Sequence, residues 1–249
     1  MPTREEAKSV VRRLQALSGS PDIVRKAAAR ELARMDPLDA NELLHHVLFL
    51  VRSGWPPAQG ALSAFLAALG LEAEQIPYAD SLRRLAEIQA LEAVADLYET
   101  APARQELDAG AAAKADAKVL TQSLGHLKQQ ARLTRDPDVL ARLVTLSNPL
   151  VVRNALLNPR LTEALVVRMA ARRPARPEPL VEIWKASRWS CRHAVRRALV
   201  FNPYLPPEVG TKIVPLLNAS DLAELVADAS VHPSLREQAG RLLAGNGPL

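Results

Sequence analysis

Proline punctuates the second half of this chain. Asp136-Pro137, Asn158-Pro159, Arg176-Pro177, Asn202-Pro203 and His232-Pro233 each fall between short amphipathic runs. Proline has no N–H and fixes φ at about −65°, so it suits the chain just before a helix or in its first turn. The residue before proline is driven out of the α region, which ends the preceding helix. A polar residue followed by proline is therefore a stop and a start in one. Five such signals, 18 to 30 residues apart, restrict this region to a series of short helices. Alternating runs of Val, Ile, Thr and aromatics, the mark of strands, are absent.

Two of the segments match more closely. Val152-Arg153-Asn154-Ala155-Leu156 precedes Asn158-Pro159-Arg160-Leu161-Thr162-Glu163, and Val195-Arg196-Arg197-Ala198-Leu199 precedes Asn202-Pro203-Tyr204-Leu205-Pro206-Pro207-Glu208. Helical units recurring at roughly 20–50 residues predict a solenoid, in which each unit buries its apolar side on its neighbours. The pattern V-R-x-A-L, then N-P-x-L-T/P and E, resembles the leucine-rich repeat variant group, which belongs with the HEAT-like α-solenoids. The resemblance covers about half of the chain, from Val119 to the end. It implies an all-α fold whose second half is an α-solenoid of short repeats, preceded by an N-terminal helical bundle or capping region. Some members of that group also carry a cysteine cluster for an iron–sulfur centre. Cys191 is the only cysteine here, so the cluster is not carried over and no cofactor is expected.

The first hundred residues read as antiparallel helices. Thr3 and Glu6 form an S/T-x-x-E capping box ahead of Val10, Val11 and Leu14. Ser20-Pro21-Asp22 starts a helix running to about Met35. Asp39 and Glu42 are read as starting the next, through Leu43, Leu44, Val47, Leu48 and Val51, broken at Gly54 and Pro56-Pro57. A small-residue helix with Leu62, Phe65, Leu66 and Leu69 follows. Leu82, Leu85, Ile88, Leu91, Val94 and Leu97, three apart throughout, predict one long helix from Asp80 to Tyr98. From Thr100 to Ala117 the chain is rich in Ala, Asp, Glu and Gly and has too little apolar surface to bury. This gives three regions: N-terminal helices at 1–99, a linker or mobile loop at 100–118 (alternatively an exposed helix), and the repeat array at 119–249.

Charge is lopsided. Residues 1–124 hold 14 Lys and Arg against 17 Asp and Glu, and residues 125–249 hold 18 against 10. Between Arg153 and Arg197 there are 11 basic and 3 acidic residues, so the chain's whole positive excess lies there. Such a stretch attracts nucleic acid, anionic lipid or an acidic protein, or it is a solvated helix face. Arg168 and Arg172 are four apart, and Arg188, Arg192 and Arg196 would form a ridge if they shared one helix. A helix is predicted over Ser190 to Val200, with Val195, Ala198 and Leu199 on its buried side and Arg192 and Arg196 pointing elsewhere. Trp184, in the apolar run Leu180–Trp184, is read as core. Trp189, between Arg188 and Ser190, is the better candidate for an exposed anchor.

Catalytic chemistry finds no foothold in the pattern. Cys191 and His193 are two apart and so do not face each other on a helix. His45 and His46 are adjacent and point about 100° apart, unlike the i,i+4 histidines of a zinc helix. Neither G-x-x-x-x-G-K-[ST] nor G-x-G-x-x-G occurs. There is no apolar run long enough for a membrane span and no signal-like N-terminal segment, so the expected location is the cytoplasm. The expected function is a non-enzymatic binding module that presents Arg168, Arg172, Arg188, Trp189, Arg192 and Arg196 to an acidic protein partner. The alternative is nucleic-acid binding through phosphates, by fold-level resemblance to HEAT-like DNA-repair glycosylases. An enzyme with an unfamiliar site ranks last. Oligomeric state is left open.

Overall fold

The computed structural model describes residues 2–17, 20–108, 110, 123–144, 146 and 148–244. Among the described residues all regular structure is helical. The α-helices are α1 (Arg4–Ala16), α2 (Pro21–Ala33), α3 (Pro37–Arg52), α4 (Pro56–Leu71), α5 (Leu82–Ile88), α6 (Glu92–Ala95), α7 (Leu124–Leu133) and α8 (Pro137–Val144). They continue as α9 (Pro149–Leu156), α10 (Glu163–Ala170), α11 (Pro177–Lys185), α12 (Ser187–Ser190), α13 (His193–Val200), α14 (Pro207–Ile213), α15 (Ala219–Ala227) and α16 (Pro233–Ala244). The chain forms two compact units. One comprises Met1–Ala101, Pro207–Ala229 and Pro233–Leu249, the other Pro102–Pro206 and Ser230–His232.

In the first unit the local signals act largely as read. The Thr3–Glu6 capping box forms reciprocally, with Ala7, Val10, Val11 and Leu14 buried behind it. Asp36, not Asp39, caps α3: its carboxylate accepts the Leu38 N–H at 2.9 Å, and Pro37 is the first helical residue. The Ala-rich α4 packs against α1, α2 and α3. Its small side chains let three helices approach it, and Ala58, Ala61, Leu62, Phe65, Leu66 and Ala68 are all buried.

The long helix expected from Asp80 to Tyr98 is broken in two. α5 ends in a Schellman-type turn, in which the Leu91 N–H reaches the Ala86 carbonyl and Ala90 has φ +56°. The physical reason lies in the spacing. Apolar residues three apart on a helix of 3.6 residues per turn walk around the cylinder instead of forming a stripe. A continuous helix would leave several of them in water, and Ile88 is already exposed. The break turns Val94 and Leu97 inward, where both are fully buried. Asn41, also fully buried, fastens the arrangement: its amide donates to the Leu82 carbonyl at 3.0 Å and to Gln89 at 3.2 Å, and it accepts from the Tyr98 hydroxyl at 3.2 Å.

Helices α14 to α16 belong to this first unit and not with the rest of the expected array. α14 packs on α4 and on the turn at Asp96–Tyr98, and α16 packs on α14, α15 and α6. Arg241 pairs with Asp96 through two hydrogen bonds, one of 2.9 Å, and Gln238 donates to the Thr211 carbonyl at 3.0 Å.

The second unit is a succession of short helices. α9 packs on α7, α8 and α11, and α10 packs on α13. The proline signals fall into two classes. Pro137, Pro177 and, in the first unit, Pro233 are first helical residues, as is Pro149 after Asn148. Asn158-Pro159 and Asn202-Pro203 instead form tight turns ahead of the next helix. In each, the Asn carbonyl accepts the N–H of the leucine three residues on (Leu161, Leu205). The Asn side-chain oxygen accepts the N–H two residues on (Arg160 at 2.8 Å, Tyr204 at 3.0 Å). The amide nitrogen crosses to an earlier helix end. Asn158 donates to the Ala131 and Thr134 carbonyls at the end of α7, and Asn202 to those of Ala170 and Arg172 at the end of α10. These are carbonyls that a helix C-terminus leaves without intrahelical partners. Of the expected linker at 100–118, residues 100–108 and 110 are described; the Gln105 N–H donates to the Pro203 carbonyl at 3.0 Å. The remainder, and the expected start of the array at Val119, lie outside the described residues.

Candidate basic binding surface

The two Asn-Pro turns gather the arginines of the second unit. At the first, Arg188 on α12 donates to the Asn158 carbonyl at 3.4 Å and lays its guanidinium over the Trp189 ring at 4.5 Å. Arg192, the N-cap residue of α13, lies 3.9 Å from Glu163. At the second turn, Arg173 donates to the Phe201 carbonyl, and the Arg197 guanidinium lies 4.8 Å from the Phe201 ring centre. Arg172, whose carbonyl accepts from Asn202, borders the same turn. Arg173 and Arg197 were not singled out by spacing, because it is the fold of the turn that brings them to Phe201.

Several expectations for individual residues change. Trp189 is buried, 4% exposed, and its indole N–H donates to the Leu156 carbonyl at 3.0 Å. It is a core residue and not an exposed anchor: α12 is a single turn that directs this side chain inward. Trp184 is buried, as its apolar neighbours indicate. The expected ridge of Arg188, Arg192 and Arg196 does not form, since the chain bends at Cys191-Arg192 and splits the predicted helix into α12 and α13. Arg196 is 7% exposed, with its Nε donating to the Ser190 carbonyl at 2.7 Å, and burial depresses its pKa. Arg168 on α10 and Arg172 beyond its C-cap are both exposed, as are Arg188 and Arg192. Of the six residues expected at the surface, Arg168, Arg172, Arg188 and Arg192 are exposed, and Trp189 and Arg196 are not.

The acidic residues nearby are few. Glu163 lies by Arg192, while Glu182 serves both Lys185 at 3.4 Å and Arg153 at 3.9 Å. Pairs this loose, with cations this exposed, contribute at most about 1 kcal/mol each.

Cys191 and His193 are both exposed, and the thiol points to the Arg188 carbonyl. His45 and His46 have ring centres 5.7 Å apart; His46 contacts the Pro2 carbonyl, and burial lowers the pKa of His45. In the first unit a groove of about 650 Å³ runs past Glu74, Tyr78, Asp80, Ser81 and Arg84. Its Tyr78 hydroxyl is bonded to the Leu32 carbonyl and its Ser81 hydroxyl to the Tyr78 carbonyl. Among the described residues no group of three or more His, Cys, Asp or Glu is placed to hold a metal ion, and no helix is long and apolar enough to cross a membrane. No family model, curated protein or solved structure matches this chain.

Proposed function

We propose that this protein is a non-enzymatic binding module of the cytoplasm, in which a solenoid-like array related to the leucine-rich repeat variants presents a basic surface to an acidic protein partner. The single observation that carries the reading is the exposed set Arg168, Arg172, Arg188 and Arg192, in a stretch where three carboxylates stand against eleven cations. The repeated Asn-Pro turn supports the array. Its side-chain amide ties the turn to the end of an earlier helix, so the arginines beside it are carried on a fixed frame. Nucleic-acid phosphates would be drawn to the same arginines. Burial of Trp189 counts against that alternative for single strands, because a buried indole cannot stack on a base.

The test is fluorescence anisotropy at low and high salt, with labelled polyglutamate and a labelled random DNA duplex as probes. The wild type is expected to bind polyglutamate more tightly than duplex. Changing Arg168, Arg172, Arg188 and Arg192 together to Ala should weaken this by roughly 10- to 30-fold, at about 0.5 kcal/mol per exposed charge. Tighter binding of the duplex would transfer the reading to nucleic acid. Equal binding of polyglutamate by wild type and variant would overturn the choice of surface.

A further inference from the structure

Beside the first Asn-Pro turn lies a pocket of about 310 Å³ lined by Arg153, Leu156, Leu157, Glu182, Lys185 and Ala186. Its floor is apolar and fixed. Leu156 is 3% exposed, and its carbonyl is held by the Trp189 indole. Leu157 is 57% exposed and forms the open wall. Leu150, Arg153 and Leu157 follow at i, i+3 and i+7 along α9, so one helix face carries two solvent-facing leucines with a cation between them. Across the pocket, on α11, Glu182 lies 3.4 Å from Lys185 and 3.9 Å from Arg153, and so keeps one cation on each side of the apolar floor. Arg153 and Lys185 stand in the last turns of their helices, where the helix dipole favours a positive charge. That explains their sign but not the leucines left open between them.

We infer that this pocket takes an apolar side chain from an acidic amphipathic helical segment of the protein partner, whose carboxylates meet Arg153 and Lys185. The occupant follows from complementarity. An apolar floor asks for a leucine-like anchor, and a rim of two cations against one carboxylate asks for flanking negative charge. The volume lies at the small end of ligand pockets and suits one or two side chains rather than a cofactor. Trp189 thereby gains a role at one remove, as the support of the pocket's floor. The inference rests on the acidic-partner reading and adds to it the shape of the recognised segment.

Two labelled helical peptides of Glu and Ala test it. They have equal charge, and one carries leucines at i and i+4 where the other carries serines. Binding is followed by anisotropy to the full chain, to Leu157→Gln, and to the double variant Arg153→Gln with Lys185→Gln. Leu157 is more than half exposed, so its replacement leaves the helix intact, which circular dichroism verifies. The wild type is expected to prefer the leucine peptide by roughly 10-fold or more, the gain from burying apolar side chains. Leu157→Gln should abolish the preference, and the double variant should weaken both peptides. Equal affinity of the wild type for the two peptides, with binding still lost on changing Arg168, Arg172, Arg188 and Arg192, would overturn the pocket and leave the basic surface standing. A preference that survives Leu157→Gln would also overturn the pocket. No binding of either peptide at low salt would overturn both readings.

Discussion

Lys212 is a cation held inside an apolar wall. It is 5% exposed on α14, among buried Val209, Ile213 and Val214, and its Nζ donates to the Glu208 carbonyl at 2.7 Å. Burial pushes its pKa down to about 8. The native chain therefore binds fewer protons than the unfolded chain above that value, and stability must rise with pH until the unfolded lysine also titrates. The window closes near pH 10, because the Tyr78 phenol, pushed up to about 12 by burial, and the buried Tyr98 hold their protons more tightly when folded. Urea unfolding should show a gain of about 2 kcal/mol between pH 8 and 10, and Lys212→Met should flatten the profile while raising stability at pH 7. A flat wild-type profile, or an unchanged slope in the variant, contradicts this account. Lys212 could not have been recognised from its neighbours, since Thr211 and Lys212 look like the polar face of a short helix. The same limit governs Trp189 and Arg196. Sequence neighbours place Trp184 in the core correctly because four of the five residues from Leu180 to Trp184 are apolar. Trp189 has polar neighbours and is buried all the same, because a one-turn helix aims it.

At the scale of the element, the Asn-Pro turns carry more structure than punctuation. Proline and the restriction on its predecessor were legible, and they mark helix ends correctly at Asn158 and Asn202. The side-chain amide's reach to carbonyls 24 to 32 residues earlier was not legible, because no local signal encodes it. Both asparagines are buried, at 0% and 2% exposure. Replacing either with Ala strands two carbonyls at a helix end and removes the Asx turn, at an expected cost of about 2–3 kcal/mol. Asn148→Ala is the control: that side chain caps α9 in the ordinary way and is partly exposed, so about 1 kcal/mol is expected. Equal, small losses at all three positions in denaturant unfolding would show that the cross-helix bonds contribute nothing beyond capping. The break within 82–98 teaches the complementary lesson. A run of apolar residues at a strict interval of three was read as a helix stripe, yet on a real helix it spirals, and the Ala90 turn resolves the conflict.

Over the whole molecule, the boundary expected at 100–118 divides the chain differently from its packing. Residues 207–229 and 233–244 read locally like the helices before them, each opened by a polar residue or a proline. Their apolar faces nevertheless meet α4, α6 and the turn at Asp96–Tyr98. Local grammar states where a helix starts; which surface it covers depends on shape complementarity between segments a hundred residues apart, and Arg241 with Asp96 is one such pair. This makes residues 1–101 an incomplete unit. Alone, they leave unpaired the apolar surface that α14 and α16 cover, including parts of α4 and the turn containing Leu97. A fragment of 1–101 should therefore melt broadly and bind a hydrophobic dye. Adding a separate 207–244 peptide should sharpen the transition and displace the dye, because buried apolar area is the main driving force available to join them. If 1–101 by itself unfolds in one sharp transition and ignores the added peptide, the first unit is complete without its C-terminal helices and the discontinuous division is wrong. The magnitude is set by α14 to α16, which bring Val209, Ile213, Val214, Leu222, Leu225, Leu235 and Leu242 into the interior. At about 1.5–3 kcal/mol for each buried aliphatic side chain, the seven together contribute roughly 10–20 kcal/mol before the entropy of ordering them is subtracted; this is of the same order as the net 5–15 kcal/mol by which an ordinary domain is stable, so the fragment is expected to lose cooperative folding without them.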